Sequence, residues 1–201
     1  KRKMTKRLLT TILTTLLTAI GLQAASSFTN VKLTVSGMTV TMSNGKTTIK
    51  IGSNGRASSM KWGSRELLDG SNGIYFDYTT AQGNKALSPS ELKIIKQTDE
   101  MCEVLYSATS GNTIFQQGYI MRNDIAGVYT YVIATGTATS ASEPLKEVRV
   151  CTRLASDMLN GYVDYRMNGK LPTNAEMAEA EKNQIQDATY YLSDGSVYTK
   201  Y

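Results

Sequence analysis

From position 31 to position 79 the chain repeats one device, a short run rich in Val, Ile, Thr and Tyr closed by a tight polar turn. The runs VKLTVSG, MTVTMSNGK, TTIKIGSNGR, ASSMKWGSREL and NGIYFDYT succeed one another at intervals of about ten residues. A strand points successive side chains to opposite faces, and Asn and Gly accept the positive φ that a hairpin needs, so this is the pattern of antiparallel β structure. Asn44-Gly45 and Asn54-Gly55 are accordingly read as turn chemistry and nothing more. Further strands are expected over 91–98, 101–108, 113–122, 127–135 and 145–154. Many short strands with little helix predict an all-β fold, an antiparallel β-sandwich.

One stretch departs from the pattern. PTNAEMAEAEKNQIQ, 172–186, is rich in Ala, Glu, Lys and Gln, but its apolar residues Met177, Ala178 and Ile185 make only a thin stripe. It is read as a loop with a short helical insert lying over the sheet. After a turn at Asp194-Gly195, the residues Val197, Tyr198, Thr199 and Tyr201 read as a strand that the sequence leaves unfinished.

The charge is uneven. Five of the 22 basic residues (Lys1, Arg2, Lys3, Lys6 and Arg7) lie in the first seven positions, leaving 17 against 17 acidic residues. A neutral remainder gives no reason to expect a nucleic-acid partner. The basic start leads into LLTTILTTLLTAIGL and then Ala24 and Ala25, which is the order of a secretory signal peptide over 1–25. The apolar run is too short to span a bilayer, so the expectation is export to a secreted or periplasmic location with no membrane partner after cleavage. Residues 26–201 are expected to form a single domain.

An exported chain is permitted disulfides, and Cys102 and Cys151 leave two arrangements open: a bridge, or two thiols in apolar strands. There is no histidine. A Ser-His-Asp triad, a histidine base and a zinc site of ordinary composition are thereby excluded within these residues. No cofactor is expected; calcium is permitted by the Asp and Asn content but has no EF-hand spacing to support it. Asp77, Asp124, Glu147 and Asp164 could supply paired carboxylates, yet no spacing singles out a pair. Arg122, Arg149, Arg153, Arg166 and Lys200 stand at strand positions among aromatic residues. Cations and rings on one sheet face suit an acidic sugar polymer, the cations pairing carboxylates and the rings stacking on sugar faces. On residue grounds alone Arg149 reads as a surface cation paired with Glu147.

Four blocks then carry a resemblance: VTMSNGKTTIKIGSNGRASSMKWGSRELLDGSNGIYFDY, GYIMRNDIAGVYTYVIATG, PLKEVRVCTRL and DATYYLSDGSVYTKY. In this order they resemble the N-terminal region of the rhamnogalacturonan lyases of polysaccharide lyase family 4. The resemblance implies a galactose-mutarotase-like β-sandwich, incomplete here at its C-terminal end. It also implies an endolyase that cleaves rhamnogalacturonan I, an acidic plant cell-wall polysaccharide, by β-elimination at the bond from rhamnose to the 4-position of galacturonate. By position, Lys200 matches the family's catalytic base and Arg149 the arginine that holds the substrate carboxylate, with Arg153 as the second candidate for that role. The family's other catalytic residue is a histidine beyond the lysine, so the 201 residues are expected to be an inactive, monomeric fragment. Two other readings stay open: a non-catalytic carbohydrate-binding β-sandwich of an exported protein, and an exported structural or adhesin domain.

Overall fold

The computed structural model describes residues 27–70, 73–81, 83–137, 145–155, 157–158, 160–163, 167–170, 174–180, 182, 184–186 and 189–199. The signal-peptide expectation over 1–25 lies outside them, as do Asp164, Arg166 and Lys200.

The hairpins anticipated from the turn chemistry form the first sheet. Strands β1 (Lys32–Ser36), β2 (Thr39–Ser43), β3 (Thr47–Ile51) and β4 (Ala57–Trp62) run antiparallel in chain order. Next come β5 (Arg65–Glu66), folded back on β4, and β6 (Ile74–Thr80), flanked on its β4 side for part of its length by β7 (Gly83–Ala86). The chain then crosses to a second sheet built from β8 (Glu91–Gln97), β9 (Met101–Ser110), β10 (Thr113–Arg122) and β11 (Tyr129–Gly136), in the spatial order β11-β10-β9-β8. It returns with β12 (Glu147–Thr152), which pairs antiparallel with β6 at the edge of the first sheet.

Period-two alternation places the core between these sheets. Val40, Met42, Ile49, Ile51, Phe76 and Tyr78 come from the first, and Cys102, Val104, Tyr106, Phe115, Tyr119 and Met121 from the second. Aromatic rings join the layers: Phe115 stacks on Tyr78 at 4.1 Å between centroids and tilts against Phe76 at 5.6 Å. Burial raises the Tyr106 and Tyr119 hydroxyls well above the ordinary tyrosine range, and each donates to a carbonyl, of Met38 at 2.8 Å and Gly55 at 2.7 Å. The architecture is the all-β antiparallel sandwich expected from the sequence. At its β12 edge the inward face is uncovered, since Val148 and Val150 lie opposite Tyr78 and Phe76 yet stay 47% and 42% exposed.

Beyond β12 the elements are small. Strands β13 (Asn160–Val163) and β14 (Met167–Lys170) form a hairpin, and helix α1 (Asn174–Ala180) is the short helical insert expected within 172–186. The end of that stretch is not loop: Gln184–Gln186 forms β15 and pairs with β16 (Thr189–Tyr191), which in turn pairs with β17 (Val197–Thr199). Cross-strand pairing overrides the helix-favouring composition of QIQ, and Ile185 stays exposed. The terminal strand is thus a paired one over its described residues.

One alternative left open by the sequence is decided here, and one reading changes. Cys102 and Cys151 are both free thiols. Cys102 faces the core from β9, whereas Cys151 lies opposite Tyr75, on the outer face of the other sheet, so alternation points the two thiols into different layers. Asn44 does more than turn a hairpin. Wholly buried, it accepts from the backbone N–H of Thr47 at 2.8 Å and of Lys46 at 3.2 Å. Its amide donates to the carbonyls of Arg122 at 2.7 Å and Ile125 at 2.8 Å. It therefore ties the first sheet to the β10–β11 connection.

Gly118 on β10 is a close-approach site. The ring of Tyr131, directly opposite on β11, lies over it and donates to Glu103 at 2.6 Å; a Cβ there would fall 2.1 Å from the ring. Burial first, and Glu103 second, push the Tyr131 hydroxyl up to about 12. Gly118→Ala is expected to swing the ring out, costing about 1–3 kcal/mol in urea denaturation. The Tyr131 phenol should then titrate closer to 10 by ultraviolet absorbance; an unmoved titration would mean the ring had kept its place.

Candidate functional site

The stretch IYFDYT explains how the outer face of the first sheet is furnished. Ile74, Phe76 and Tyr78 point into the core, so Tyr75, Asp77 and Thr79 must point out. On β12 the residues directly opposite are Cys151 for Tyr75, Arg149 for Asp77 and Glu147 for Thr79. Residues opposite one another in an antiparallel pair share a face, and here the sheet brings a buried carboxylate against an arginine 72 positions later.

Their contact is a two-pronged ion pair. Arg149 Nε donates to Asp77 Oδ1 at 2.8 Å and Nη2 to Oδ2 at 2.7 Å. The side chain of Asp77 is 8% exposed and that of Arg149 is 40%, so the anchor is inside and the cation outside. Asn84 on β7 steadies the carboxylate from its other flank at 3.5 Å. Hydrogen bonding to Arg149 holds the Asp77 carboxyl below the usual range against the opposing effect of burial, and the same bond raises Arg149 further above its ordinary value. Glu147, the partner expected from sequence, is the lesser one, with its Oε2 3.6 Å from Nη1.

Arg153 follows β12 and is fixed by its backbone, which donates to the carbonyl of Gly73 and accepts from Asp69 N–H, both at 2.8 Å. Its guanidinium reaches the Tyr75 hydroxyl at 3.4 Å, a contact that raises its pKa above the ordinary value. Arg56, from the β3–β4 turn, lies over the Tyr75 ring at 4.6 Å. Three guanidinium groups thus gather beside the carboxylates of Asp77 and Glu147, one positive charge in excess within this cluster. The adjoining hollow beside Asn54, Arg56 and Tyr75 is about 50 Å³, far below the roughly 300 Å³ of a small-molecule pocket. A ligand of any length would lie across the face rather than inside it.

The structure therefore brings Arg149 and Arg153 together and adds Asp77, Tyr75 and Arg56 to them. Sequence reasoning passed over Tyr75 and Arg56 and named Asp77 only among candidate paired carboxylates, although the alternation in IYFDYT was the available signal for Tyr75 and Asp77. Arg122 is not part of the group: it ends β10 in the other sheet and pairs with Asp124 at 2.9 Å. Among the described residues, no three Cys, Asp or Glu side chains gather as a metal site, and no helix is long and apolar enough to cross a membrane.

The fold is an antiparallel β-sandwich with a cationic, tyrosine-bearing sheet face, an arrangement able to pair with anionic ligands and pack against flat ones. The rhamnogalacturonate lyase of Dickeya dadantii (strain 3937) is 31% identical over 199 residues, covering 94% of this chain and 34% of that enzyme. The chain thus spans about a third of the length of the curated relative, and the relationship to a polysaccharide lyase is a distant one. No protein-family model matches the chain.

Proposed function

We propose that the chain is the substrate-gripping part of a polysaccharide lyase that cleaves rhamnogalacturonan I by β-elimination. The observation that carries this reading is the identity to a rhamnogalacturonate lyase along 94% of the chain. The geometry of Arg149 supports it. In β-elimination a base removes the C5 proton of galacturonate, and charge builds on the adjoining carboxylate as the carbanion forms. The bond to the 4-oxygen then breaks and leaves an unsaturated uronate. An arginine placed on that carboxylate lowers the barrier, because it is always charged and meets both oxygens at once.

Arg149 is the residue for this role and Arg153 the neighbour that widens the cationic surface. Lys200, two positions beyond Tyr198 of β17, is proposed as the base. Its amine has an ordinary pKa near 10.4, so it must be held neutral by burial or by neighbouring cations to accept a proton at neutral pH. The leaving oxygen needs a proton, and no imidazole exists among these 201 residues to give one. We therefore expect the polypeptide as it stands to bind rhamnogalacturonan I without turning it over. The same lack of histidine favours a second reading, a carbohydrate-binding sandwich without catalysis.

The test separates the two. The protein expressed at whatever length its natural gene specifies should release unsaturated uronate from rhamnogalacturonan I, followed by ultraviolet absorbance. Lys200→Ala should abolish release while polymer binding persists. No release from the natural-length protein would remove the lyase reading and leave the binding one; release unaffected by Lys200→Ala would remove that lysine as the base.

A further inference from the structure

We infer that Asp77 is a positioning residue that orients Arg149 toward the substrate carboxylate; this rests on the proposed role of Arg149. A guanidinium offers two forks, one formed by Nε and Nη2 along its side and one formed by Nη1 and Nη2 at its end. Asp77 takes the side fork through both of its oxygens, at 2.8 and 2.7 Å. Among the described residues, the end fork carries only the 3.6 Å ion pair of Glu147 with Nη1, longer than a hydrogen bond. The arginine is thus held tightly by one edge and only loosely, by Glu147, at the other.

The holder is well built for the purpose. Asp77 lies in β6 with β12 on one side and β7 on the other, opposite Arg149 and Ala86 in the two ladders. Its backbone is therefore braced on both flanks, and its carboxylate is nearly closed to solvent. An unpaired arginine would sample many rotamers, each placing the end fork elsewhere. Fixing the fork before the polymer arrives removes that ordering cost from binding and aligns the charge with the carboxylate where it is needed.

A double-mutant cycle tests this on the 201-residue chain, with affinity for rhamnogalacturonan I read by calorimetry and folding by thermal melting. Asp77→Asn keeps the shape but loses the charge and the second acceptor, and should weaken binding about tenfold when Arg149 is present. In an Arg149→Ala background the same change should do nothing further to affinity, although both backgrounds lose melting temperature. Asp77→Glu keeps the charge on a longer arm, so it should regain most of the melting temperature while affinity stays low; this variant carries the test alone if Asp77→Asn does not fold. Affinity that follows melting temperature in every variant, or an Asp77→Asn effect that persists without Arg149, would overturn the inference. If Arg149→Ala alone leaves affinity unchanged, it is the role of Arg149 that fails first.

Discussion

Asn44→Asp, a change of a single atom, is expected to destabilise the protein severely at neutral pH and much less at pH 4. The amide nitrogen of Asn44 donates to two carbonyls, of Arg122 and Ile125, while its oxygen accepts two backbone N–H groups. Aspartate preserves the acceptor half and destroys the donor half, leaving an ionised oxygen aimed at two carbonyl oxygens in a wholly buried position. Each buried group left unpaired costs about 1–3 kcal/mol, before any repulsion is added. Protonation would restore one donor, so the introduced carboxyl has a folded pKa above its unfolded value of about 3.9. Between those two values the folded state holds more protons than the unfolded one, and stability falls as pH rises. Urea denaturation at pH 4 and pH 7 should therefore show the larger deficit at pH 7. Equal deficits would mean that the Asn44 bridge between the sheets is not holding them together. Asn44→Ala, which cannot titrate, should lose stability equally at both values and serves as the control.

Asn44 also marks the boundary of what the sequence could tell. A Ser-Asn-Gly turn between two alternating runs identifies a hairpin, because that chemistry is local and the positive φ of Gly45 is a property of the turn itself. What lies 78 and 81 residues away across the sandwich leaves no mark near Asn44, so its second role was illegible. The same division holds elsewhere. Strands that bury one face announce themselves by period two, as β2, β3, β9 and β10 do, whereas β7, with the sequence GNKA, has no strand-forming residue and exists because β6 offers it an edge. The candidate site divides likewise. Arg149 and Arg153 were singled out by the family resemblance, but the pairing of β12 with β6 is a long-range fact, and only it moves the partner of Arg149 from Glu147 to Asp77. Arg122 shows the opposite error: an equally plausible strand cation in the sequence, it belongs to the other sheet.

Arg149→Ala should reduce affinity for rhamnogalacturonan I by about tenfold or more, and Arg149→Lys should recover little of it. A lysine ammonium is a point charge that Asp77 would capture, and it has no second fork to offer the polymer. The pH dependence of binding gives an independent check. Uronate carboxylates lose their charge in the range of about 3–4, as model carboxyls do. Asp77 is lowered from its ordinary value, first by its hydrogen bonds to Arg149 and also by the charge of that residue, despite burial working against it, whereas nothing lowers a free uronate. A depressed folded pKa contributes stability that is fully present above the unfolded value and is lost only as pH falls through the folded one. On acidification the polymer should therefore let go while the Asp77–Arg149 pair is still intact, and affinity should drop before melting temperature does. A polymer whose galacturonate carboxyls have been reduced to alcohols removes the ligand's half of the interaction. It should bind weakly at every pH and be insensitive to Arg149→Ala. Equal binding of the reduced and acidic polymers would show that sugar stacking and hydroxyl contacts carry recognition, and that the cationic face of the first sheet is not where the carboxylate is read.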